Sequence, residues 1–489
     1  MSTLRHWFDP AWPDSQIYEL SGRGSPYLAY HACGALLTAL VGDALRANLL
    51  LLTAVGLAIP FATRSLLRAF DGDERLALFA CVVFWCRPLA LGFLPFMAAV
   101  PVALAVIAAV VRQAAEPTLR RGLVLAASTL FAFYLHLDAF ILIVAVAVAV
   151  HLAPTRHAPT EGFLRRFSRL PVRLAWLAPA AASTCAWVLL ARSDAGGEIL
   201  GHGSIQFEPV EQLPTDFAAW THGIWRPRVD TLLGVMPWVL LLPLAANVRV
   251  PERGGARGLL ERCIPFACAL ALFVFIPFQV GVTSMLGVRL AVFLLPCLLV
   301  VVRPDPGRLS AAVFAGAALL AGAVSVEAAV EVYRADRAEA SGIDDMLALV
   351  SPGSRLLTLD FVTVSAYSAL PPWFHIGALH RLRGGGVASV SFSEVPHWPF
   401  RFRPGQDPPH VPGRSLEWQP CRFRNALDGP YFDYVLARGH VDPFRESPPG
   451  PAWRQAGHAG DWALYGKIPG VQIPATGSDQ GPCGMVLGR

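Results

Sequence analysis

Long runs of apolar residues without charges alternate with short polar segments over the first two thirds of the chain. A helix of roughly 20 apolar residues is long enough to cross the hydrocarbon core of a bilayer. Ten runs therefore predict ten membrane helices, several of them near the lower limit of length. The runs cover residues 47–63, 76–90, 93–111, 122–135, 139–155, 174–191, 231–248, 263–279, 284–302 and 309–326.

The composition of the chain agrees with a bilayer as its solvent. Hydrophobic residues make up 54% of the 489 residues and charged residues only 15%, whereas about 25% of the residues in a typical soluble domain are charged. A chain with so few charges cannot cover its surface with polar groups in water, and a lipid environment removes that need. Its formal net charge of +5 is too small to indicate a nucleic-acid partner.

The arginines are divided unevenly between alternate connecting segments. Seventeen lie in one set of segments and five in the other. Because cytoplasmic loops carry an excess of Lys and Arg, the richer set is predicted to be cytoplasmic. The N-terminus, the 192–230 loop and everything after Val326 are then predicted to be extracytoplasmic. The five arginines of the poorer set are Arg87, Arg192, Arg226, Arg228 and Arg289.

The N-terminal residues 1–26 are polar and aromatic and contain no signal-peptide core, so they predict an extracytoplasmic loop. An apolar segment of 16 residues, 27–42, follows between Pro26 and Asp43. Because this segment is short for a span, we predict an interfacial or re-entrant helix over 27–45, with a full span as the alternative. The membrane helix bundle then covers residues 46–328.

Beyond Glu327 the chain becomes polar and rich in Pro and Gly. The segments 353–361, 386–392, 431–439 and 460–467 have the β-branched, aromatic and turn-flanked pattern of strands. They predict a small extracytoplasmic α/β domain over residues 329–489. Cys421 and Cys483 lie in this domain. The sequence leaves open whether they form a disulfide, which an oxidising compartment would allow.

Four segments carry a resemblance to a known family. In SPYLAYHACGALLTALVGDALRANLLLLTAVGLAIPFATRSLLRAF (25–70), a short aromatic helix follows a Pro, and a span ends in an Arg-rich turn. The others are FWCRPLALGFLPFMAAVPVALAV (84–106), TSMLGVRLAVFLLP (283–296) and PPWFHIGALHRLRGGGVASVSFSEVPHWPFRFRP (371–404). Together they resemble the GT-C superfamily of membrane glycosyltransferases, in particular a bacterial group with a C-terminal extracytoplasmic domain.

The resemblance implies an all-α polytopic bundle of the bacterial inner (cytoplasmic) membrane with its C-terminal domain outside. It also implies transfer of a sugar from a polyprenyl-phosphate donor to an envelope glycan, lipid or protein at the outer face. A divalent metal ion is left open as cofactor. Family members are expected to begin with a further helix and an acidic loop. Because this chain starts within that loop, we expect either a missing N-terminal element or a member that has lost it.

Sugar transfer of this kind needs a carboxylate base that deprotonates the acceptor hydroxyl. Asp9 and Asp14 in the N-terminal segment are candidate catalytic carboxylates, and so is Asp138 at the outer junction of two spans. His136 lies beside Asp138 in FYLHLDAF and is a candidate for substrate binding. A polar hairpin tip is the alternative interpretation of these two residues.

The reaction also needs a cation that holds the leaving phosphate as its charge develops. Arg289, near the outer end of a span, is the candidate for this role. The alternative is a snorkelling arginine, or one that pairs with Glu327 or with a carbonyl. Arg87 occupies another outer turn and is a second substrate-binding candidate, with an ordinary loop charge as its alternative.

The 192–230 loop mixes carboxylates with tryptophans, a combination that suits sugar binding because aromatic faces stack on C–H surfaces while acids bind hydroxyls. The alternative is the ordinary role of tryptophan as an anchor at a membrane interface. The candidate substrate-binding residues of this loop are Glu208, Glu211, Asp216, His222 and Trp225.

Two other functions remain open at this stage. A non-catalytic scaffold or envelope-assembly protein would keep the same fold without the acidic loop. A transporter or flippase is less favoured, because the apolar runs carry no acid or base near their middle and show no inverted repeat. Zinc is not expected, since the histidines at 375, 380, 397 and 410 lack the spacing of metal ligands.

Overall fold

The structure is a computed structural model of the 489-residue chain. It describes residues 9, 11–21, 24–154, 162–194, 205–225, 227–245, 255–281, 283–304, 308–389, 393, 398–409, 416–444, 452–473 and 483. Arg226, His397 and His410 lie outside the described residues.

The chain is mostly helical and has a sheet-containing C-terminal region, which confirms the predicted fold class in its coarse form. Its contacts divide it into two compact units. The helical unit comprises Arg23–His31 and Leu49–Ala329. The sheet unit comprises Met1–Gly22, Ala32–Asn48 and Val330–Arg489, so the N-terminal segment belongs with the C-terminal region.

Five helices among the described residues are long and apolar enough to cross a membrane. They are Ala44–Ala69, Leu94–Ala115, Phe163–Leu190, Arg257–Phe275 and Ser310–Glu339. The third of these runs through three consecutive helical elements, Phe163–Arg173, Ala175–Leu177 and most of Ala178–Asp194. Four shorter apolar helices also occur, Leu28–Val41, Leu137–Leu152, Leu232–Leu241 and Leu286–Leu299. Ten spans and their placement in a membrane therefore stay predictions.

The secondary structure of residues 44–339 is as follows. Its α-helices are Ala44–Ala69, Arg87–Ala90, Leu94–Ala115, Leu119–Leu135, Leu137–Leu152, Phe163–Arg173, Ala178–Asp194, Leu213–His222, Pro227–Ala245, Gly255–Phe275, Leu286–Arg289, Ala291–Leu299 and Arg308–Glu339. Its 3-10 helices are Glu74–Phe84 and Ala175–Leu177. Short strands at Ile205–Gln206, Gln279–Val280 and Thr283–Ser284 form a three-stranded antiparallel sheet.

The helix Leu94–Ala115 forms the core of the helical unit. It is apolar on every side, a pattern typical of a buried helix. The helices Leu119–Leu135 and Leu137–Leu152 both pack against it. The turn between these two neighbours holds the first candidate residues, so the buried helix provides a rigid support for them.

Residues 76–90 differ from the single membrane helix predicted for them. The structure has a 3-10 helix over Glu74–Phe84, followed by one short α-helix, Arg87–Ala90. Glu74 accepts hydrogen bonds from both Arg64 and Arg68, which ties the start of the segment to the helix Ala44–Ala69. Its apolar side chains are buried on more than one side, and such packing overrides the α-helical periodicity of the sequence.

The sheet unit contains a five-stranded mixed sheet. Its strand order is Val387–Ala388, Arg355–Asp360, Tyr434–Arg438, Trp462–Lys467 and Trp453–Ala459. The first two pairings are parallel and the last two antiparallel. All four strands predicted from the sequence are present, and Trp453–Ala459 is an additional one. Helices of this unit are Asp14–Ile17, Leu28–Val41 (in part), Ile343–Ala348, Ala378–Gly384 and Asn425–Asp428, with a 3-10 helix at Pro420–Arg422.

Both faces of this sheet are covered by apolar side chains. On one face, Leu356 and Trp462 pack with Met346 of the helix Ile343–Ala348. On the other face, Leu357 packs with Phe444 and other aromatic residues. All residues from Leu356 to Asp360 are buried, so this strand faces a hydrophobic layer on both sides, as expected of a central strand.

The N-terminal segment, predicted as a loop, contributes a strand. Tyr18–Leu20 pairs antiparallel with Phe400–Phe402. The buried ring of Tyr18 packs against the ring of Phe402 in a tilted arrangement, at a centroid distance of 4.9 Å. This short ladder makes the start of the chain a structural part of the sheet unit.

Two further features stabilise the sheet unit. Cys421 and Cys483 form a disulfide, with a Cα–Cα distance of 5.2 Å, which decides a pairing that the sequence left open. Lys467, the single lysine of the chain, ends the strand Trp462–Lys467. Its Nζ donates hydrogen bonds to the carbonyls of Gly429, Pro430 and Phe432. The three donors of an ammonium group thus each have an acceptor.

Candidate functional site

His136 and Asp138 lie where one helix ends and the next begins. His136 is both the C-cap of Leu119–Leu135 and the N-cap of Leu137–Leu152, with an extended backbone. The backbone N–H of Asp138 donates to Nδ1 of His136 at 3.2 Å. Because Nδ1 accepts this bond, the neutral ring carries its proton on Nε2. The capping geometry therefore fixes both the orientation and the tautomer of the imidazole.

Arg289 approaches the same place from another part of the chain. Its Nη1 lies 3.7 Å from Oδ2 of Asp138, and its Nη2 donates to the carbonyl of Ser284 at 2.8 Å. The guanidinium also stacks over the ring of Phe93, 4.0 Å from its centroid. These contacts fix the planar cation in one position.

Two features of the backbone near Arg289 direct this residue toward Asp138. Met285, just before the short helix Leu286–Arg289, has a left-handed φ of 63°, which is uncommon for a residue with a side chain. A Cβ at Gly287 would lie 2.6 Å from the carbonyl oxygen of Ile276, so this position requires glycine. The close approach of these two segments directs the end of the short helix toward Asp138.

The cluster of Asp138, His136 and Arg289 is almost completely buried. Asp138 is 4% exposed and Arg289 is 7% exposed. This burial disfavours the alternative of a snorkelling arginine, because a snorkelling side chain keeps its charge in water. Among the described residues, the structure pairs Arg289 with Asp138 and also with the carbonyl of Ser284, so the alternative of a carbonyl partner is present and the alternative with Glu327 is not.

Two atoms of this cluster lack a hydrogen bond. Within the described part of the chain, neither Oδ2 of Asp138 nor Nε of Arg289 has a hydrogen-bond partner. The 3.7 Å contact between the two side chains is too long to be a hydrogen bond. Buried charged groups normally satisfy their hydrogen-bonding atoms, so an acceptor and a donor remain available here.

Aromatic rings enclose the imidazole of this cluster. Tyr27 and Phe96 contact the His136 ring edge-on, at centroid distances of 5.0 and 5.1 Å. Such rings exclude water and lower the local dielectric constant, which strengthens every charge interaction inside. Tyr27, Phe93 and Phe96 lie in the segments that carry the family resemblance, but they are not predicted as site residues, because an aromatic residue in an apolar segment is indistinguishable from ordinary core.

Arg87, Glu208 and Asp216 form a second group in the helical unit. The Arg87 guanidinium lies 5.9 Å from the ring centroid of Trp220. Burial raises the pKa of Glu208, and the charge and hydrogen bond of Asp216 raise it further. Burial also raises the pKa of Asp216, although its hydrogen bond with Glu208 and the charge of Arg87 act in the opposite direction. Two interacting carboxyls beside a cation can bind a hydroxyl-rich ligand.

The other candidates of this loop are placed differently from one another. Glu211 is exposed. His222 is buried, and burial lowers its pKa to about 4, so the imidazole is neutral at pH 7. Trp225 is buried in a cluster with Ile224 and Ala328. A ring in that position packs the loop in place, and its role in stacking on a sugar stays a prediction.

Asp14 lies in the sheet unit, at the start of the helix Asp14–Ile17. It is completely buried, and Nε of Arg381 donates to its Oδ2 at 3.1 Å. The backbone N–H of Gly386 donates to its Oδ1 at 2.9 Å. A carboxylate held on both oxygens is an internal anchor, and this geometry favours a structural role over the predicted catalytic one. Asp9 is half-buried, and its carbonyl accepts a hydrogen bond from the N–H of Trp12.

No candidate metal centre occurs in the residues that the structure describes. Three or more His, Cys, Asp or Glu side chains do not come together there in a way that would hold a metal ion.

Comparison of the chain with protein-family models, with curated proteins and with solved structures finds no match. The similarity to the GT-C superfamily accordingly stays a prediction from the sequence motifs.

Proposed function

We propose that the protein is an integral membrane glycosyltransferase. It transfers a sugar from a polyprenyl-phosphate donor to a glycan, lipid or protein of the cell envelope at the outer face of the membrane. The single observation that carries this proposal is the buried cluster of Asp138, His136 and Arg289, in which a carboxylate oxygen and a guanidinium nitrogen lack hydrogen bonds.

Arg289 has the properties of a phosphate ligand. Its guanidinium is held by Ser284 and Phe93, and it keeps an N–H for a phosphate oxygen. A hydrogen bond between an arginine and a phosphate is charge-assisted and strong. In a site closed to water the cation also stabilises the negative charge that develops on the leaving phosphate.

Asp138 has the properties of a general base. Its Oδ2 is available, and it accepts the proton of the acceptor hydroxyl as the hydroxyl oxygen attacks the sugar carbon and the bond from that carbon to the phosphate oxygen breaks. His136 lies 3.6 Å from the same oxygen. Because its Nδ1 accepts the N–H of Asp138, its role in this proposal is to position the carboxylate.

Substitution of Arg289 by glutamine tests the phosphate-binding role. We expect Arg289→Gln to weaken binding of farnesyl phosphate to the nanodisc-reconstituted chain by about 10- to 100-fold, because a hydrogen bond to a charged group contributes about 1.5–3 kcal/mol. Microscale thermophoresis gives the dissociation constants. Arg121→Gln is the matched control, since Arg121 pairs with Glu116 at an exposed turn of the helical unit. Equal affinities of wild type and Arg289→Gln would refute this role.

The proposed location is the bacterial inner membrane, with ten spans and with the sheet unit outside the cytoplasm. The arginine distribution supports this orientation. The disulfide Cys421–Cys483 also supports it, because disulfides persist in extracytoplasmic compartments and are rare in the cytosol.

The redox state of these cysteines in cells tests the orientation. We expect Cys421 and Cys483 to resist alkylation in intact cells and to react only after reduction, as measured by differential alkylation and peptide mass spectrometry. In Cys421→Ser, Cys483 is expected to become reactive without reductant. Full alkylation of both wild-type cysteines before reduction would place the sheet unit in the cytoplasm instead.

A non-catalytic scaffold on the same fold is the second candidate. It is favoured by the burial of the cluster, because a buried ion pair also holds the short helix Leu286–Arg289 against the start of Leu137–Leu152. In that case farnesyl phosphate would not bind, and substitutions at Arg289 would change only the stability of the protein.

A further inference from the structure

A groove in the helical unit lies away from the cluster of Asp138, His136 and Arg289. It has a volume of about 770 Å³. Its walls come from the turn after Leu94–Ala115, the start of Leu119–Leu135, the end of Leu137–Leu152 and the start of Ala178–Asp194. Most of the lining is apolar, with side chains such as Leu123 and Val150. A cavity of this size and character fits a hydrocarbon chain.

Two largely buried residues that line the same groove each carry a polar atom without a hydrogen bond. The side chains of His151 and Trp176 are each 8% exposed, and both residues line the groove. Over the described ranges, neither Nε2 of His151 nor Nε1 of Trp176 has a hydrogen-bond partner. The indole N–H is a donor without an acceptor, which is costly in an apolar surrounding. A ligand with ester or phosphate oxygens supplies that acceptor.

A basic amphipathic helix, Phe163–Arg173, ends at this groove. In Phe163–Arg173, the side chains of Phe163, Leu164, Phe167 and Val172 are exposed, although they are apolar. Arg165 and Arg169 are exposed on the same short helix. Exposed apolar side chains between arginines are typical of a helix that lies in the head-group region of a membrane. The surface is therefore complementary to anionic lipids.

The same helix places a cation at the groove. Nη1 of the buried Arg166 donates to the carbonyl of Leu152 at 3.2 Å, which fixes the helix to the end of Leu137–Leu152. Arg173, at the other end of this helix, lines the groove. An arginine beside an apolar groove matches a ligand with a negative head group and a hydrocarbon tail.

We propose that this groove is a binding site for an anionic phospholipid of the bilayer. The acyl chain lies along the apolar wall, the phosphate contacts Arg173, and an ester or phosphate oxygen accepts the N–H of Trp176. This site is distinct from the proposed transferase cluster and does not depend on the proposed function.

Lipid binding by the purified full chain tests the proposal. Native mass spectrometry in detergent compares palmitoyl-oleoyl-phosphatidylglycerol with the phosphatidylcholine of the same chains. We expect the phosphatidylglycerol to bind at least about fivefold more tightly, since it retains a net negative charge near the arginine. Equal affinity for the two lipids would overturn the proposed recognition of an anionic head group.

Three variants examine the groove itself. In Gly122→Leu a new side chain projects into the groove, because a Cβ at this position meets only Nε2 of Gln113, at 3.7 Å. We expect Gly122→Leu to abolish tight binding, and Arg173→Gln and Trp176→Phe each to weaken it by about fivefold. Wild-type affinity in Gly122→Leu would overturn the proposal.

Arg165→Gln is the matched control. Arg165 is exposed on the same helix as Arg173 and does not line the groove, so the two substitutions remove the same charge from one element. We expect Arg165→Gln to change the affinity by less than about twofold. A loss equal to that of Arg173→Gln would show non-specific attraction to the helix and would overturn the site. Trp176→Phe removes the indole N–H and keeps an aromatic ring at this position, so its effect remains informative if Gly122→Leu folds poorly.

Discussion

The substitution Asp138→Asn is expected to lower the rate of sugar transfer by about 10²- to 10⁴-fold, the usual contribution of a general base. Asparagine has the shape of aspartate but cannot take up the hydroxyl proton. Initial rates are measured with the nanodisc-reconstituted chain, farnesyl-phosphate-linked radiolabelled mannose, glucose and arabinose as donors, and an envelope extract as the source of acceptor. Binding of farnesyl phosphate is expected to persist, because Arg289 is intact.

The control for this experiment separates catalysis from folding. Removing the charge of Asp138 leaves Arg289 buried without its carboxylate, and breaking a buried pair typically costs about 3–5 kcal/mol. Rates are therefore compared well below the thermal transition of each variant. Glu116→Gln is the acid-to-amide control, since Glu116 is exposed in the same unit. A wild-type rate in Asp138→Asn would exclude the base, and a wild-type chain without transfer from any donor would favour the scaffold.

The substitution Asp14→Asn is expected to destabilise the sheet unit by about 3–5 kcal/mol, because it removes a completely buried carboxylate that pairs with the largely buried guanidinium of Arg381. Arg381 also lies over the ring of Tyr18, 4.0 Å from its centroid, so it cannot turn toward water without disturbing that packing. Hydrogen exchange of peptides covering Val387–Ala388 in the full chain measures the effect.

An exposed ion pair of the same unit is the comparison. Arg401 donates to Glu19 at 2.7 Å, and both side chains are partly open to solvent. We expect Glu19→Gln to change the free energy of unfolding by less than about 1 kcal/mol, as for surface pairs in general. Equally small effects of the two substitutions would contradict the structural role of Asp14 and restore it as a catalytic candidate.

The sequence predicts where the secondary-structure elements of this chain lie better than it predicts their type. Apolar runs identify helices such as Leu94–Ala115, because a buried helix needs an apolar surface on all sides. The same runs cannot distinguish an α-helix from the 3-10 helix Glu74–Phe84, which depends on packing. The strand Trp453–Ala459 escaped prediction because it lies at an edge and its side chains are mostly polar and exposed.

For the candidate site, the sequence likewise identifies the charged residues but not the contacts between them. Asp138 and Arg289 are each identifiable as a charge within apolar sequence, which is costly unless paired. Their convergence depends on the turn at His136 and on the close approach at Gly287, and neither is a periodic pattern. The pairing of Asp14 could not be predicted in this way. A carboxylate in a polar segment does not indicate a buried ion pair, and the partner of Asp14 is an arginine more than three hundred residues away in the sequence.

Lys467 makes the opening of the sheet unit measurable by proteolysis. An endoprotease specific for lysine has one possible cleavage site in this chain. That site is Lys467, the last residue of the strand Trp462–Lys467, whose amine donates hydrogen bonds to three carbonyls. Cleavage requires the strand to leave the sheet, because a protease binds its substrate in an extended, unpaired form. The disulfide Cys421–Cys483 joins the two fragments until it is reduced, so each sample is reduced before the fragments are separated. The rate at which the two fragments accumulate then measures the opening of this unit, without a label or an engineered site.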